Sequence, residues 1–162
     1  MTAGVYLHIP FCKSRCSYCD FATDVYRESG AVERYVDALC AEIQNSKIET
    51  QTLVDTIYFG GGTPSLLAVE RLRWILEAVD EQFDVADGAE ITIEMNPATV
   101  TPETLAGYRD AGVNRASFGV QTFNDRDLKL LARGHDAGDA RNTFKMLRDA
   151  GFSNVSFDLI IG

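Results

Sequence analysis

The chain has 162 residues, 46% of them hydrophobic, which is enough for a globular unit with a real core. Its formal net charge of −9 argues against a nucleic-acid surface, which needs a basic patch. No apolar stretch reaches bilayer length and no signal-peptide pattern opens the chain, so a cytoplasmic location is expected and its four cysteines point to metal or redox chemistry, not a disulfide framework.

Apolar runs and turn residues predict a first strand over 4–9, followed by a cysteine-bearing loop over 10–23. A helix over 31–47 places Val32, Val36, Leu39, Cys40 and Ile43 at helical spacing, which makes Cys40 a buried core thiol. A second strand over 53–59 breaks at Gly60-Gly61-Gly62-Thr63-Pro64, and a long helix over 65–82 keeps Leu66, Val69, Leu72, Ile75, Leu76 and Val79 on one side. The acidic residues between Asp80 and Glu90 read as a solvated helix end and turn. A third strand over 89–95 ends at Asn96-Pro97. Thr101 then caps a helix that has Pro102 at its first position and stops at Ala111-Gly112. A fourth strand over 116–120 precedes a helix over 125–131. A polar turn over 133–138 follows, then a helix closing at Ala150-Gly151 and a fifth strand over 155–161.

Strands alternating with helices predict an α/β fold with a parallel sheet. Apolar residues at consecutive positions, as in Leu159-Ile160-Ile161, fit strands buried on both faces. The expected architecture is a partial (β/α) barrel of about five βα units, with an open doubly wound sheet as the structural alternative. In either, ligand chemistry gathers at the C-terminal ends of the strands.

The first of those ends carries Cys12, Cys16 and Cys19, spaced C-x3-C-x2-C within eight residues. Three thiolates so close together suit one metal centre, and an iron–sulfur cluster held by three rather than four cysteines keeps one iron open to a small molecule. A closed structural zinc site wants a fourth Cys or His. His8 lies four residues upstream, in strand, where its reach into the loop is doubtful. Unpaired thiols in a reduced cytosol are the bland alternative.

The spacing, with Tyr18 before the last cysteine, resembles the signature of radical S-adenosylmethionine (SAM) enzymes. The wider string Y-x-H-I-P-F-C-x3-C-x-Y-C-D-F is similar to the oxygen-independent coproporphyrinogen oxidase group, and more closely to its HemW haem-chaperone branch. After the third cysteine the oxidases continue Cys-x-Cys, whereas this chain has Asp20-Phe21. The resemblance implies a [4Fe-4S] cluster on the three cysteines with SAM on the open iron, whose reductive cleavage gives methionine and a 5′-deoxyadenosyl radical. It further implies haem as ligand, acceptor haemoproteins as partners, and peripheral membrane association through those acceptors.

By the same resemblance Gly61, Gly62 and Thr63 receive the amino group of SAM, Glu94 contacts SAM, and Gln121, Arg133 and Asp158 complete the pocket with Tyr6 and Tyr18 as its aromatics. Each also has a structural reading. The glycines make a tight turn, Glu94 shares an outward strand face with Thr92, Arg133 and Asp158 form an ion pair, and the tyrosines pack in the core. His135 reads as a solvated turn histidine. The alternatives to a haem chaperone are an oxygen-independent coproporphyrinogen III oxidase and a structural zinc-binding module. Since no covering helix follows the fifth strand, residues 1–162 read as a radical SAM core domain cut at its C-terminal end, with an exposed apolar edge prone to self-association.

Overall fold

Thr2–Ile9 forms strand β1, and the chain then leaves the sheet through the cysteine loop, where Phe11–Cys12 (β2) and Asp24–Val25 (β3) pair in parallel. The computed structural model of the chain describes residues 2–25, 30–47 and 52–161. Helix α1 (Ala31–Gln44) leads to β4 (Leu53–Gly61), α2 (Val69–Gln82) to β5 (Asp84–Met95), and α3 (Pro102–Asp110) to β6 (Arg115–Gln121). The short α4 (Asp125–Leu130) and α5 (Ala137–Asp149) lead to β7 (Asn154–Leu159).

The long strands make one five-stranded sheet in the order β1-β4-β5-β6-β7, every pair parallel. Each new strand joins the same advancing edge, so the winding never reverses. An open doubly wound sheet would show a switch point in strand order, so the arrangement is that of a partial barrel.

One face of the sheet packs on the helices. Phe59, Ile93, Leu72, Ile75, Leu105 and Leu147 are all fully buried there. The other face is polar, which corrects the expectation of apolar burial on both sides. Tyr58 pairs in register with Thr92, Glu94 with Ser117, and Gly119 with Asp158, so a row of polar groups crosses the strands at their C-terminal ends. Leu159, at the end of β7, and Ile160 and Ile161 just beyond it are exposed.

Three elements depart from the expected boundaries for local reasons. Pro64–Leu66 is a separate 3-10 turn, and Leu67 and Ala68 are extended before α2 begins. The buried Tyr108 hydroxyl donates to the carbonyls of Ser65 and Leu67, which draws that backbone out of an α-helical path. The acidic segment continues as strand rather than turn: Asp84 and Val85 pair with Leu53 and Val54, then a register shift over the left-handed Gly88 (φ 79°) resumes pairing at Glu90. Helix α1 stops at Gln44, where Asn45 donates back to the Ala41 carbonyl, and residues 48–51 lie outside those described, as does Gly162. Thr101 caps α3 as expected, in a reciprocal box with Thr104, and Gly112 (φ 103°) follows its end. Cys40 is buried in α1, and burial pushes its thiol up.

Candidate metal and cofactor site

The cysteine loop is held from two sides. Beneath it the glycine turn donates Gly62 N–H to the Ile9 carbonyl (2.9 Å) and Thr63 N–H to the Phe11 carbonyl (2.8 Å). Beyond it Ser17 donates through its backbone N–H to Leu131 (3.2 Å) and through its hydroxyl to the Leu130 carbonyl (3.1 Å), tying the loop to the end of α4. His8 Nε2 meets the Ala22 carbonyl at 2.8 Å and Nδ1 the Tyr6 hydroxyl at 3.2 Å. Both ring nitrogens of His8 are engaged, Nε2 with the loop and Nδ1 with Tyr6 on its own strand, so it is no fourth ligand in this arrangement.

Cys12, Cys16 and Cys19 share a cleft of about 170 Å³. The strand ends contribute Gly61, Gly62, Glu94, Gln121 and Asp158 to it, and Tyr18 and Arg133 face it as well. Thr63 lies behind Cys12, with its hydroxyl directed at Cys12 Sγ (3.7 Å), and lines an adjoining hollow of about 90 Å³. Tyr6 is set apart from the cleft: 59% exposed, it stacks on Tyr58 with ring centroids 6.1 Å apart. The expected residues are therefore brought together, Tyr6 excepted.

Their polar groups have definite partners. Glu94 Oε1 accepts from the Tyr58 hydroxyl (2.7 Å) and Oε2 from Gly61 N–H (3.1 Å), which answers the cost of a carboxylate in this half-buried place. Burial, then the hydrogen bond to Glu94, push the Tyr58 phenol up to about 12, so it stays a donor at neutral pH. Arg133 does not pair with Asp158. Its Nη2 donates to Asn96 Oδ1 (2.6 Å) and the Gly119 carbonyl (2.6 Å), and its Nη1 reaches Cys16 Sγ and the Tyr18 hydroxyl, both at 3.4 Å. Burial raises the Tyr18 phenol, and the Arg133 charge opposes it. Gln121 sits at φ 68°, a left-handed conformation uncommon for a non-glycine residue and concentrated at functional sites.

Asn96, Tyr58 and Gly119 belong to this constellation although no motif in the sequence singles them out. Period-two alternation could have found Asn96, since residues 92, 94 and 96 follow one another along one side of a strand. Gly119 is recognisable only in three dimensions. A Cβ there would lie 2.7 Å from Gln121 Nε2 and 3.2 Å from Arg133 Nη2, so the bare backbone is what admits both side chains.

His135 is buried, not solvated, with Nε2 3.3 Å from the Val120 carbonyl. Burial first, and the Arg133 charge second, hold its ring below the ordinary imidazole range. A depressed folded-state value means that its contribution to stability is present above the unfolded value of about 6.5 and is lost as pH falls through the folded one. Urea unfolding at pH 7.5 and 5.5 is expected to show a loss of stability that His135→Gln reduces. An equal pH dependence in the variant would remove His135 as its source.

The donor set fits an iron–sulfur cluster with a zwitterionic ligand. Three thiols line one open cleft, and a Cβ on Gly62 would fall 3.0 Å from Cys12 Sγ, so the turn is shaped around that sulfur. Glu94 offers negative charge and Arg133 positive charge to one ligand, and Arg133 Nε is buried with no hydrogen-bond partner among the described residues. Among these residues no three His, Cys, Asp or Glu converge as a ligand set for a single metal ion, so the fit to a cluster rests on the C-x3-C-x2-C spacing and the shared cleft and not on sulfurs already gathered around one point. No helix among them is long and apolar enough to cross a membrane.

Comparisons with known proteins agree with this chemistry. The profile of the Radical SAM superfamily matches residues 6–162. A protein named heme chaperone HemW from Synechocystis is 42% identical over 100% of this chain and 40% of its own length. One of the same name from Mycobacterium tuberculosis H37Rv is 44% identical over 98% of this chain and 42% of its own. The solved structure of Escherichia coli coproporphyrinogen III oxidase (HemN), described as a radical SAM enzyme, superposes with a TM-score of 0.90 at 32% identity, covering 98% of this chain and 37% of that one. The chain thus spans about two fifths of the length of the curated relatives it matches.

Proposed function

The chain belongs to the radical SAM superfamily, and from that premise we propose that residues 1–162 form the cluster- and SAM-binding core of a HemW-like haem chaperone that works in the cytoplasm. The observation that carries this reading is the single cleft in which three cysteines face Glu94, Gln121, Arg133 and Asp158.

Cys12, Cys16 and Cys19 would hold a [4Fe-4S] cluster, and with three protein ligands one iron would be left for SAM. When bound, that pair supplies one-electron reductive chemistry at the sulfonium, while the protein orients and shields it. Glu94, its two oxygens fixed by Tyr58 and Gly61, would supply negative charge to the ammonium of a bound SAM, together with the glycine turn at Gly61, Gly62 and Thr63. Arg133 would offer positive charge to the carboxylate, and Gln121 and Asp158, which line the same cleft from the ends of β6 and β7, would offer polar contacts to the rest of the ligand. Tyr18 closes the cleft on the loop side, and Tyr6 backs Tyr58.

The haem role, delivery to acceptor haemoproteins and any membrane association through them are carried by likeness to the HemW proteins. Neither histidine supports them among the described residues, as His8 is engaged and His135 buried. Asp20-Phe21 favours the chaperone over the oxidase: no extra thiol follows Cys19, and Phe21, 69% exposed, lines the cleft in that region.

The test uses the full-length protein after anaerobic reconstitution. A brown protein with about four irons, bleached by dithionite and binding SAM, is expected. With coproporphyrinogen, SAM and a reductant it should form no decarboxylated product, and it should pass added haem to an apo-haemoprotein. Decarboxylation would establish the oxidase reading instead, and a colourless protein holding one zinc would establish the structural module.

A further inference from the structure

A continuous run of hydrogen bonds joins two of the cysteine sulfurs through residues that are not cysteines. From Cys12 it passes to the Thr63 hydroxyl, 3.7 Å from Sγ, and Thr63 Oγ1 in turn accepts from Asn96 Nδ2 at 2.8 Å. On the other side of the amide, Asn96 Oδ1 accepts from Arg133 Nη2 at 2.6 Å, while Arg133 Nη1 reaches Cys16 Sγ at 3.4 Å. Asn96 is the only residue of the run that touches neither sulfur.

We infer that Asn96 is a positioning residue that aims two donors, the Thr63 hydroxyl and the Arg133 guanidinium, at the sulfurs of Cys12 and Cys16 and thereby sets the reduction potential of the cluster. The inference rests on the cluster reading above.

The direction of each bond makes the argument. A hydroxyl has one proton and two lone pairs. Because Asn96 Nδ2 donates to Thr63 Oγ1, one lone pair is taken and the hydroxyl proton is left for Cys12. Because Asn96 Oδ1 and the Gly119 carbonyl both hold Nη2, the guanidinium plane is fixed and Nη1 is left for Cys16 and Tyr18. Without the amide, Thr63 is free to turn its proton elsewhere and Arg133 loses one of the two acceptors on Nη2.

Asn96 is itself anchored. Its carbonyl accepts from the Thr99 hydroxyl (2.6 Å) and the Thr99 N–H (3.2 Å), and Thr99 Oγ1 lies 2.8 Å from Ser65 Oγ. Pro97 follows it and is buried. The amide therefore projects from a braced turn at the end of β5. Donors to cluster sulfurs stabilise the more negative, reduced state, so the potential follows their number and orientation.

The test is a redox titration of full-length, reconstituted protein without SAM, followed by the electron paramagnetic resonance signal of the reduced cluster, with iron measured on each sample. Asn96→Ala and Thr63→Val are compared singly and together. At the poise that half-reduces the parent, Asn96→Ala is expected to hold up to about tenfold less reduced than oxidised cluster, about 59 mV more negative for one electron. Thr63→Val should shift the same way by less. Since Asn96 acts partly through Thr63, the double variant should shift by less than the sum of the singles. If Asn96→Ala fails to take up iron, the near-isosteric Thr63→Val decides: a negative shift supports the inference and an unchanged potential overturns it. Fully loaded variants with the parent's potential overturn the inference and leave the cluster reading standing. A parent that takes up no iron overturns both.

Discussion

Gly62→Ala is expected to reduce iron uptake by the reconstituted protein on the order of tenfold to a hundredfold, the usual effect of disturbing the groups that support metal ligands. A Cβ at this position would lie 2.7 Å from the Phe11 carbonyl oxygen, 3.0 Å from the Phe11 carbonyl carbon and 3.0 Å from Cys12 Sγ. The first contact is with backbone, which cannot swing aside as a long side chain can. The same Phe11 oxygen accepts from Thr63 N–H at 2.8 Å. A methyl group here therefore opens that bond and displaces the first cysteine together with the strand that leads into it. Gly61 is bound by conformation as well, since its φ is 116° and a Cβ on it would lie only 2.7 Å from the His8 ring. Gly134→Ala is the control. It borders the adjoining hollow, but its Cβ would meet only Ser14 Oγ at 3.9 Å, so full iron uptake is expected. Iron and sulfide analysis with the visible absorption band reads the outcome. Normal loading of Gly62→Ala would mean that the turn does not cradle the sulfur.

That contrast between glycines marks what the sequence can and cannot convey. The three-glycine run after an apolar strand announces a close approach of backbone to something, and strand ends are the right place to look for the charged residues. Glu94 and Asp158, each a charge among apolar neighbours, are legible for that reason. What has no signal is partnership. Arg133, at the far end of a helix, and Asp158, within the last strand, read naturally as an ion pair, yet Arg133 turns to Asn96, Cys16 and the carbonyl of Gly119, whose missing side chain leaves that carbonyl open. Tyr6 reads as a pocket aromatic, whereas the pleat stacks it on Tyr58 outside the cleft. His135 reads as a turn residue, and its turn is indeed polar, but the closing of α5 on β6 buries the ring. The 65–82 segment keeps helical periodicity throughout, and only a contact from a residue more than forty positions away breaks its first turn.

That contact is the source of the largest stability effect. Tyr108 on α3 is fully buried, and its hydroxyl donates to Leu67 O at 2.7 Å and Ser65 O at 3.2 Å. Burial alone pushes its phenol well above the usual tyrosine range. The raised value means that the stability it confers is present below the unfolded tyrosine value of about 10 and declines only in strong alkali. Tyr108→Phe keeps the ring and removes the donor, leaving two buried carbonyls short of a partner, at a cost of roughly 1–3 kcal/mol. Tyr108→Ala empties the site as well, and aromatic-to-alanine changes in cores cost about 3–5 kcal/mol before the orphaned carbonyls are counted. Against a typical domain stability of about 5–15 kcal/mol, that is enough to bring the chain near its unfolding threshold. Urea titration of the cluster-free protein should rank parent above Tyr108→Phe above Tyr108→Ala. The turn that Tyr108 holds begins one residue after Thr63, so Tyr108→Ala should also bind iron less completely, while Tyr108→Phe, with its packing intact, should bind as the parent does. Equal stability of Tyr108→Phe and the parent would show that the two carbonyls need no donor, and the break between Pro64–Leu66 and α2 would then require another cause.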